Sequence, residues 1–281
     1  MNRIGWFVGP GLVTGAVLAA AAQPAGSPPK APTAPPAAGD PGGTPAEPPA
    51  DAPLVPFPHP LITEVLYAVP TGPGGDANKD GTRDATGDEF IELVNPHDKP
   101  IQLRGYALRD RNEEKKGGLR FRFPAMELKP GQVVVVFNGC KAKWKGPVGD
   151  STRPPTHGHD SFRGAFVFTM RAATSRHSFA NDGDWVLLTG PGAQLIQCVR
   201  WGEFDEQPPA TPMVVEDAPL VVGESVQRGS ASGALEPHPA EHGDFSPGVW
   251  PLPTETAPEP VEPEPPGEPV PPSVPTPKPP G

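Results

Sequence analysis

The chain has 281 residues, including 46 prolines and 33 glycines, and its formal net charge at pH 7 is −10. Because the prolines cluster at the two ends, only the middle segment, 59–250, can bury a hydrophobic core. This distribution excludes the two full domains that the length alone would suggest, and it predicts one folded domain between two proline-rich arms.

Residues 1–22 have the layout of a secretory signal. Arg3 is followed by an apolar run that begins at Ile4, and the small residues Ala19–Ala22 come directly before Gln23. An uncleaved N-terminal anchor is the alternative, because the run approaches the ~20 apolar residues that a membrane-spanning helix needs. In both cases we expect the folded domain outside the cytoplasm, either secreted or held at the cell envelope or surface.

The two arms differ in composition but not in expected behaviour. Segment 23–58 is rich in Pro and Ala, and segment 251–281 alternates Pro with Glu. Such sequence favours extended polyproline II and stays solvated, because it has too little apolar surface to offset its ordering entropy. We therefore predict a disordered linker and a disordered tail, acting as spacers or as ligands of a polyproline-binding partner.

The middle segment is predicted to be all-β. Short runs rich in Val, Ile, Leu, Phe and Tyr are bounded by Gly, Pro, Asn and Asp, and no stretch has a convincing amphipathic helical period. Pro130 and Gly131 supply the fixed negative φ and the positive φ of a type II turn. The pattern indicates a β-sandwich or barrel. The clearest strands are 61–65, 90–95, 101–108, 119–123, 132–137, 165–169, 185–188 and 195–201.

The order of these strands resembles that of the lamin-tail domain family. The matching stretches are DEFIELVNP from Asp88, IQLRGYALRD from Ile101, FRFP from Phe121, LKPGQVVVVF from Leu128, FANDGDWVLL from Phe179, LIQCVRWGEF from Leu195, ESVQR from Glu224 and FSPG from Phe245. The resemblance implies an immunoglobulin-like β-sandwich. The polar, turn-rich segment 141–163 departs from the compact form of the family and is predicted to be an inserted surface loop, where specificity could lie.

A candidate calcium loop, DANKDGTRD, precedes the second strand. Its acidic and amide side chains have the spacing of positions 1, 3, 5 and 9 of a calcium loop, with a glycine at position 6. Position 12 is Gly87 rather than Glu, and no helices flank the loop, so a plain acidic turn is the alternative. Calcium would have a structural role. The candidate ligands are Asp76, Asn78, Asp80, Thr82, Asp84 and Asp88.

Two further residue groups leave alternatives open. Cys140 and Cys198 are the only cysteines, and in an exported chain they are compatible either with a disulfide or with two separately buried thiols. Segment 99–176 contains 16 Lys or Arg against 6 Asp or Glu, which could face an anionic polymer or could be an ordinary solvated face. The candidate anion-binding residues are Lys115, Lys116, Arg120, Arg122, Lys141, Lys143, Trp144 and Lys145.

Catalytic interpretations rest on isolated residues. His157, His159 and Asp160 could belong to a metal-dependent hydrolase, but zinc sites normally draw on more ligands than this segment offers. His177 and Ser178, near Asp182 and Asp184, are better explained by a hairpin. We therefore predict a non-catalytic binding module whose ligand is a protein or an anionic polymer, either nucleic acid or polysaccharide. An inert structural component of the envelope or matrix is the main alternative, and a hydrolase is the other.

Overall fold

The apolar runs of the middle segment form strands in a computed structural model that describes residues 52–112, 118–206 and 210–253. The predicted signal 1–22, most of the predicted linker, and the tail from residue 254 lie outside the described residues, as do Lys115 and Lys116. The strands are β1 (Leu61–Leu66), β2 (Phe90–Val94), β3 (Ile101–Gln102), β4 (Ala107–Asp110), β5 (Arg120–Arg122), β6 (Glu127–Leu128), β7 (Val133–Phe137), β8 (Val148–Gly149), β9 (Phe166–Thr169), β10 (Gly183–Thr189), β11 (Leu195–Gly202), β12 (Val214–Asp217), β13 (Val226–Arg228) and β14 (Leu235–Pro237). Short 3-10 turns occupy Pro73–Gly75, Asp160–Phe162, Pro191–Ala193 and Ala240–His242.

Two large sheets make the body of the domain. One has seven strands in the order β14-β13-β1-β2-β7-β9-β8, and the other has five in the order β12-β11-β10-β4-β5, while β3 and β6 form a small separate pair. Most neighbours are antiparallel, but β12 runs parallel to β11, and β9 runs parallel to β7 and β8. This arrangement confirms the predicted all-β, immunoglobulin-like β-sandwich.

Aromatic contacts join the two large sheets across the core. Phe121 of β5 lies 5.5 Å, between ring centroids, from Phe168 of β9. Tyr67, just after β1, stacks on Trp201 of β11 with centroids 4.3 Å apart. Such pairs add about 0.5–1.5 kcal/mol beyond the burial of their apolar surface. The large aromatic side chains of the sequence therefore hold the sandwich together.

The central strands of the seven-stranded sheet are covered on both faces. Every residue of β1, β2 and β7 is buried, including the polar residues Glu64 and Glu92. Strands with one solvated face would alternate apolar and polar residues, so the unbroken VVVVF of β7 fits a strand buried on both sides. The segment that follows β14 supplies cover over one face, since the Gly248 amide donates to the Glu92 carboxylate at 2.7 Å.

Two predicted features differ from the structure. The run predicted as one strand, 101–108, is broken at Gly105, where φ is +93°, and its halves β3 and β4 join different sheets. The segment 141–163, predicted to be an inserted surface loop, contains β8 and a 3-10 turn. It is anchored because Phe162, only 1% exposed, lies 5.4 Å from the ring of Phe137. An aromatic residue within a polar segment thus folds that segment onto the sheet.

The ordered packing begins before residue 59. Val55, within the segment predicted as linker, is fully buried, and the Leu54 amide donates to the carbonyl of Ala231 at 3.0 Å. The predicted type II turn is confirmed: Gly131 has φ +70°, and the Gln132 amide donates to the carbonyl of Lys129 at 3.0 Å.

Within the described residues, no helix has the length and apolar character that crossing a bilayer requires.

Candidate functional site

The acidic loop between β1 and β2 winds around the first of its carboxylates. Asp76 accepts hydrogen bonds from the backbone amides of Asp80, at 3.1 Å, and Gly81, at 2.9 Å. The Asn78 side-chain oxygen accepts a second bond from the Asp80 amide at 3.0 Å, and Asp80 in turn accepts from the amide of Thr82 at 2.8 Å. Gly81 has φ +96°, which is the reason a glycine is needed at this bend.

Asp88 closes the other end of the same loop. Its carboxylate accepts from the amide of Asn78 at 2.9 Å and from the amide of Asp84 at 2.6 Å, and the side chain is buried. The pKa of Asp88 is raised to about 6, chiefly by burial and also by the nearby carboxylates of Asp76 and Asp80, while the two amides partly offset the rise. The loop therefore concentrates negative charge around a partly desolvated carboxylate.

The basic segment 141–145, predicted as an anion-binding surface, contacts this acidic loop. The Lys141 ammonium lies 2.9 Å from the Asp84 carboxylate, and the Lys143 amide donates to the Asp80 carboxylate at 2.7 Å. Although burial alone would raise the pKa of Asp84, hydrogen bonds from the Gly87 amide and from Lys141 hold it below its usual value. The structure thus brings together the acidic loop and the basic segment, which the sequence presented as separate sites. The Lys141 ammonium is paired with Asp84 of this chain.

Trp144 is not displayed as a flat stacking surface. Its ring is half-buried and lies 5.4 Å from the ring of Phe137. Lys145 is exposed, but its carbonyl is bonded to the ring of His159. Within segment 141–145, the ammonium groups of Lys143 and Lys145 are therefore the ones left for binding an anion.

Among the residues that the structure describes, no group of three or more His, Cys, Asp or Glu side chains is placed to hold a metal ion. In the acidic loop the carboxylate oxygens instead accept hydrogen bonds from backbone amides, as in a series of Asx turns. Calcium binding at Asp76, Asn78, Asp80 and the Thr82 carbonyl therefore stays a prediction.

The candidate hydrolase residues have local structural roles. The His159 ring lies 2.6 Å from the Lys145 carbonyl on one side and accepts from the Ser161 amide at 3.2 Å on the other, so both ring nitrogens are engaged with backbone groups. His157 is exposed and bonds to Thr156. The His159 ring thus holds together the backbone of its own segment, and His157 lies on the surface.

His177 and Asp184, from the group that the sequence explained better by a hairpin than by catalysis, likewise have local structural roles. The ring of His177 bonds to the hydroxyl of Thr174 at 3.1 Å, while the Asp184 carboxylate accepts from the amides of Ala180, at 3.0 Å, and Trp185, at 2.8 Å. These bonds support the hairpin explanation that the sequence favoured.

Both cysteines are free and buried thiols. Cys140 follows β7 in one large sheet, whereas Cys198 lies in β11 of the other and packs against Trp185 and Leu187. Burial raises the pKa of the Cys198 thiol to about 12. Of the two alternatives left open by the sequence, the structure has two separate thiols rather than a disulfide.

A cleft lined by arginines lies at the edge of the five-stranded sheet, and sequence reasoning found only half of it. Arg120 and Arg122 of β5 are joined there by Arg109 of β4 and by Arg104 from the turn before β4. The cavity measures about 420 Å³, and its opposite wall is the turn that connects β10 to β11, residues 190–193. The sequence did not reveal the other half because it does not show that β4 pairs with β5, which places Arg109 opposite Arg120.

A second cluster that the sequence did not reveal is a pair of buried glutamates. Glu64 and Glu92 face one another on β1 and β2, and neither is exposed. Glu64 accepts from the Ser225 hydroxyl at 2.6 Å and from the Ser246 amide at 2.9 Å. Burial raises the pKa of Glu64 to about 7. Burial and the neighbouring Glu64 charge raise the pKa of Glu92 well above its ordinary value. The pair ties Ser246, in the FSPG stretch, to the sheet.

These features define an immunoglobulin-like β-sandwich whose candidate sites are an acidic loop, a basic cleft and a buried acidic pair. A family model for the lamin tail domain matches residues 59–203, which is more than half of the chain, and the chain belongs to that family. Membership supports a non-enzymatic immunoglobulin-like domain. A comparison with curated proteins gives no match.

Proposed function

We propose that this protein is a non-catalytic interaction module of the lamin-tail type, exported and either secreted or displayed at the cell surface on its proline-rich arms. The observation that carries the proposal is the arginine-lined cleft, because a concave and strongly charged surface is where a rigid sandwich can hold a ligand. The ligand is a protein or an anionic polymer. Export rests on the pattern of residues 1–22.

The non-catalytic part of the proposal is supported by how the potential catalytic groups are used. His159 has both ring nitrogens bonded to backbone, and the Asp184 carboxylate is held by two amides. General acid or base catalysis needs a titratable group within hydrogen-bond reach of a substrate proton. Groups that close the fold in this way are poorly placed for that task.

We also propose that calcium stabilises the acidic loop. The ligands would be Asp76, Asn78, Asp80 and the Thr82 carbonyl, with Asp84 and Asp88 completing the site, because hard cations prefer six to eight oxygen ligands. Burial is the main cause of the raised pKa of Asp88, and calcium would offset the charges of Asp76 and Asp80 that add to it. It would compete with Lys141 for the Asp84 carboxylate, so binding would be in the weak range of extracellular modules, roughly 10⁻⁴ to 10⁻³ M.

The test of function uses the labelled full chain and the isolated envelope fraction of the cells that produce it. We expect saturable binding in the presence of calcium, with no release of soluble fragments from the envelope material. Binding that stays linear with concentration would favour the inert structural component, and released fragments would favour the hydrolase. Treating intact cells with protease tests export separately: a chain that survives until the cells are lysed would contradict display at the surface.

A further inference from the structure

Three of the four arginines of the cleft lie on one side of the β4–β5 strand pair for a geometric reason. Successive side chains of a strand point to opposite faces, so Arg120 and Arg122 share a face while Phe121 between them, 1% exposed, points into the core. Arg109 lies directly opposite Arg120 in the β4–β5 register. The register therefore brings a third guanidinium to the same face of the sheet as Arg120 and Arg122.

One wall of the cleft, formed by residues 190–193, has little side-chain bulk. Gly105, with φ +93°, lies beside Pro191, and a Cβ at Gly105 would be in ordinary van der Waals contact with the proline ring at 3.4 Å, so the two turns lie side by side. Gly192 has open space where its side chain would be. This wall therefore leaves room beside the arginines for a ring rather than only for an ion.

The outer pair of arginines is the one offered to a ligand. Arg104 and Arg122 are exposed, whereas Arg109 and Arg120 also make interactions within the protein. Among the described residues that line the cleft there is no carboxylate and no aromatic side chain. A guanidinium binds carboxylates in a bidentate manner. Single-stranded nucleic acid is normally bound by stacking its bases on aromatic rings, which this lining does not provide.

We propose that the cleft binds a carboxylate-bearing polysaccharide, with sugar rings against the turn at residues 190–193 and carboxylates on Arg104 and Arg122. This inference rests on the proposed interaction function and names its ligand class and site. The volume of about 420 Å³ falls within the range of small-molecule pockets, and it suits a short stretch of pyranose rings better than an isolated side chain of an acidic peptide.

The experiment measures binding of fluorescent oligogalacturonate to the full chain by anisotropy at two salt concentrations. Changing both Arg104→Gln and Arg122→Gln should weaken binding about tenfold or more, because each lost charged hydrogen bond contributes appreciably to affinity. The matched control is Arg153→Gln with Arg176→Gln, which removes the same two charges from exposed positions outside the cleft and should change affinity less than about twofold. Thermal unfolding of each variant confirms that it is folded.

Three outcomes would overturn the inference while leaving the interaction function standing, provided that binding to the envelope fraction is saturable. The first is the absence of oligogalacturonate binding. The second is a loss of binding in Lys143→Gln with Lys145→Gln but not in the cleft variant, which would move the site to segment 141–145. The third is tighter, cleft-dependent binding of a thymidine oligonucleotide or of polyglutamate, which would assign another class of ligand. A failure of envelope binding itself would refute the proposed function.

Discussion

Replacing Glu64 with glutamine removes the titration of one member of the buried pair without removing the hydrogen bonds of that side chain. The amide oxygen of a glutamine can still accept from the Ser225 hydroxyl and the Ser246 amide, and its nitrogen can donate to the Ser246 hydroxyl, now 3.3 Å from the carboxylate. The variant therefore isolates the charge of Glu64 from its packing.

The sign of the effect follows from the raised pKa. Burial raises the pKa of Glu64 from 4.5 to about 7, so between these values the folded protein binds a proton that the unfolded chain has released. This contribution to stability is fully present below pH 4.5 and is lost as the pH rises through about 7. The difference corresponds to on the order of 3 kcal/mol for a fully buried group.

Denaturant unfolding at pH 5 and pH 8, followed by tryptophan fluorescence, measures this quantity. From pH 5 to pH 8 the Glu64→Gln variant should gain on the order of 3 kcal/mol of unfolding free energy relative to the wild type, equivalent to roughly 6–12 °C in Tm. Comparing the two proteins at each pH cancels the titrating groups that do not interact with Glu64. Glu92, whose pKa the Glu64 charge helps to raise, and His238, which lies 4.0 Å from Glu64, contribute to the measured difference.

The control for this experiment is Glu236→Gln on β14, because Glu236 is exposed and the charge change is identical. This variant should follow the wild type within about 0.5 kcal/mol at both pH values. If the wild type and Glu64→Gln instead change in parallel from pH 5 to pH 8, the argument that a buried carboxyl pair controls stability fails.

Three further predictions concern the loop, the link between the sheets and the thiols. Calcium at about 10 mM should raise Tm by roughly 3–6 °C if Kd is near 1 mM, and an equal rise in Asp76→Ala plus Asp80→Ala would contradict the site. Arg228→Met should lower the free energy of unfolding by about 3–5 kcal/mol, because fully buried Arg228 on β13 lies 2.7 Å from the Glu216 carboxylate of β12. A loss below about 1 kcal/mol in denaturant unfolding would show that the pair contributes little. The Cys198 thiol should react with a disulfide reagent only after unfolding, and reductant should leave Tm unchanged; rapid labelling of the native protein would contradict its burial.

Much of the fold could be predicted because its signals are local. The runs at β1, β2, β7 and β11 are apolar, β-branched or aromatic, and they are bounded by turn residues, so each specifies a strand without reference to the rest of the chain. The order of these runs carries the family resemblance, and the acidic loop is visible because its spacing lies within a few consecutive residues. The strand predicted over 101–108 failed because a glycine bend changes the sheet to which each half belongs.

The candidate sites depended on contacts between distant residues. Lys141 pairs with Asp84 across 57 positions of the sequence, and Glu64 bonds to Ser246 across 182. The arginine cleft exists because β4 pairs with β5 and because the turn at residues 190–193 comes to lie beside them. None of these neighbours can be read from spacing, since spacing describes only residues that one strand or turn holds together.

The sequence by itself determined that the middle of this chain folds as an all-β domain, because short apolar runs and turn chemistry act over a few residues, and the order of those runs carried the resemblance to the lamin-tail family. Only the tertiary structure decided which charges are available. Sheet register and the covering of the outer face set burial. Burial decides whether the pKa of a carboxylate such as Glu92 is raised inside the fold and whether a guanidinium such as Arg122 is presented to a ligand.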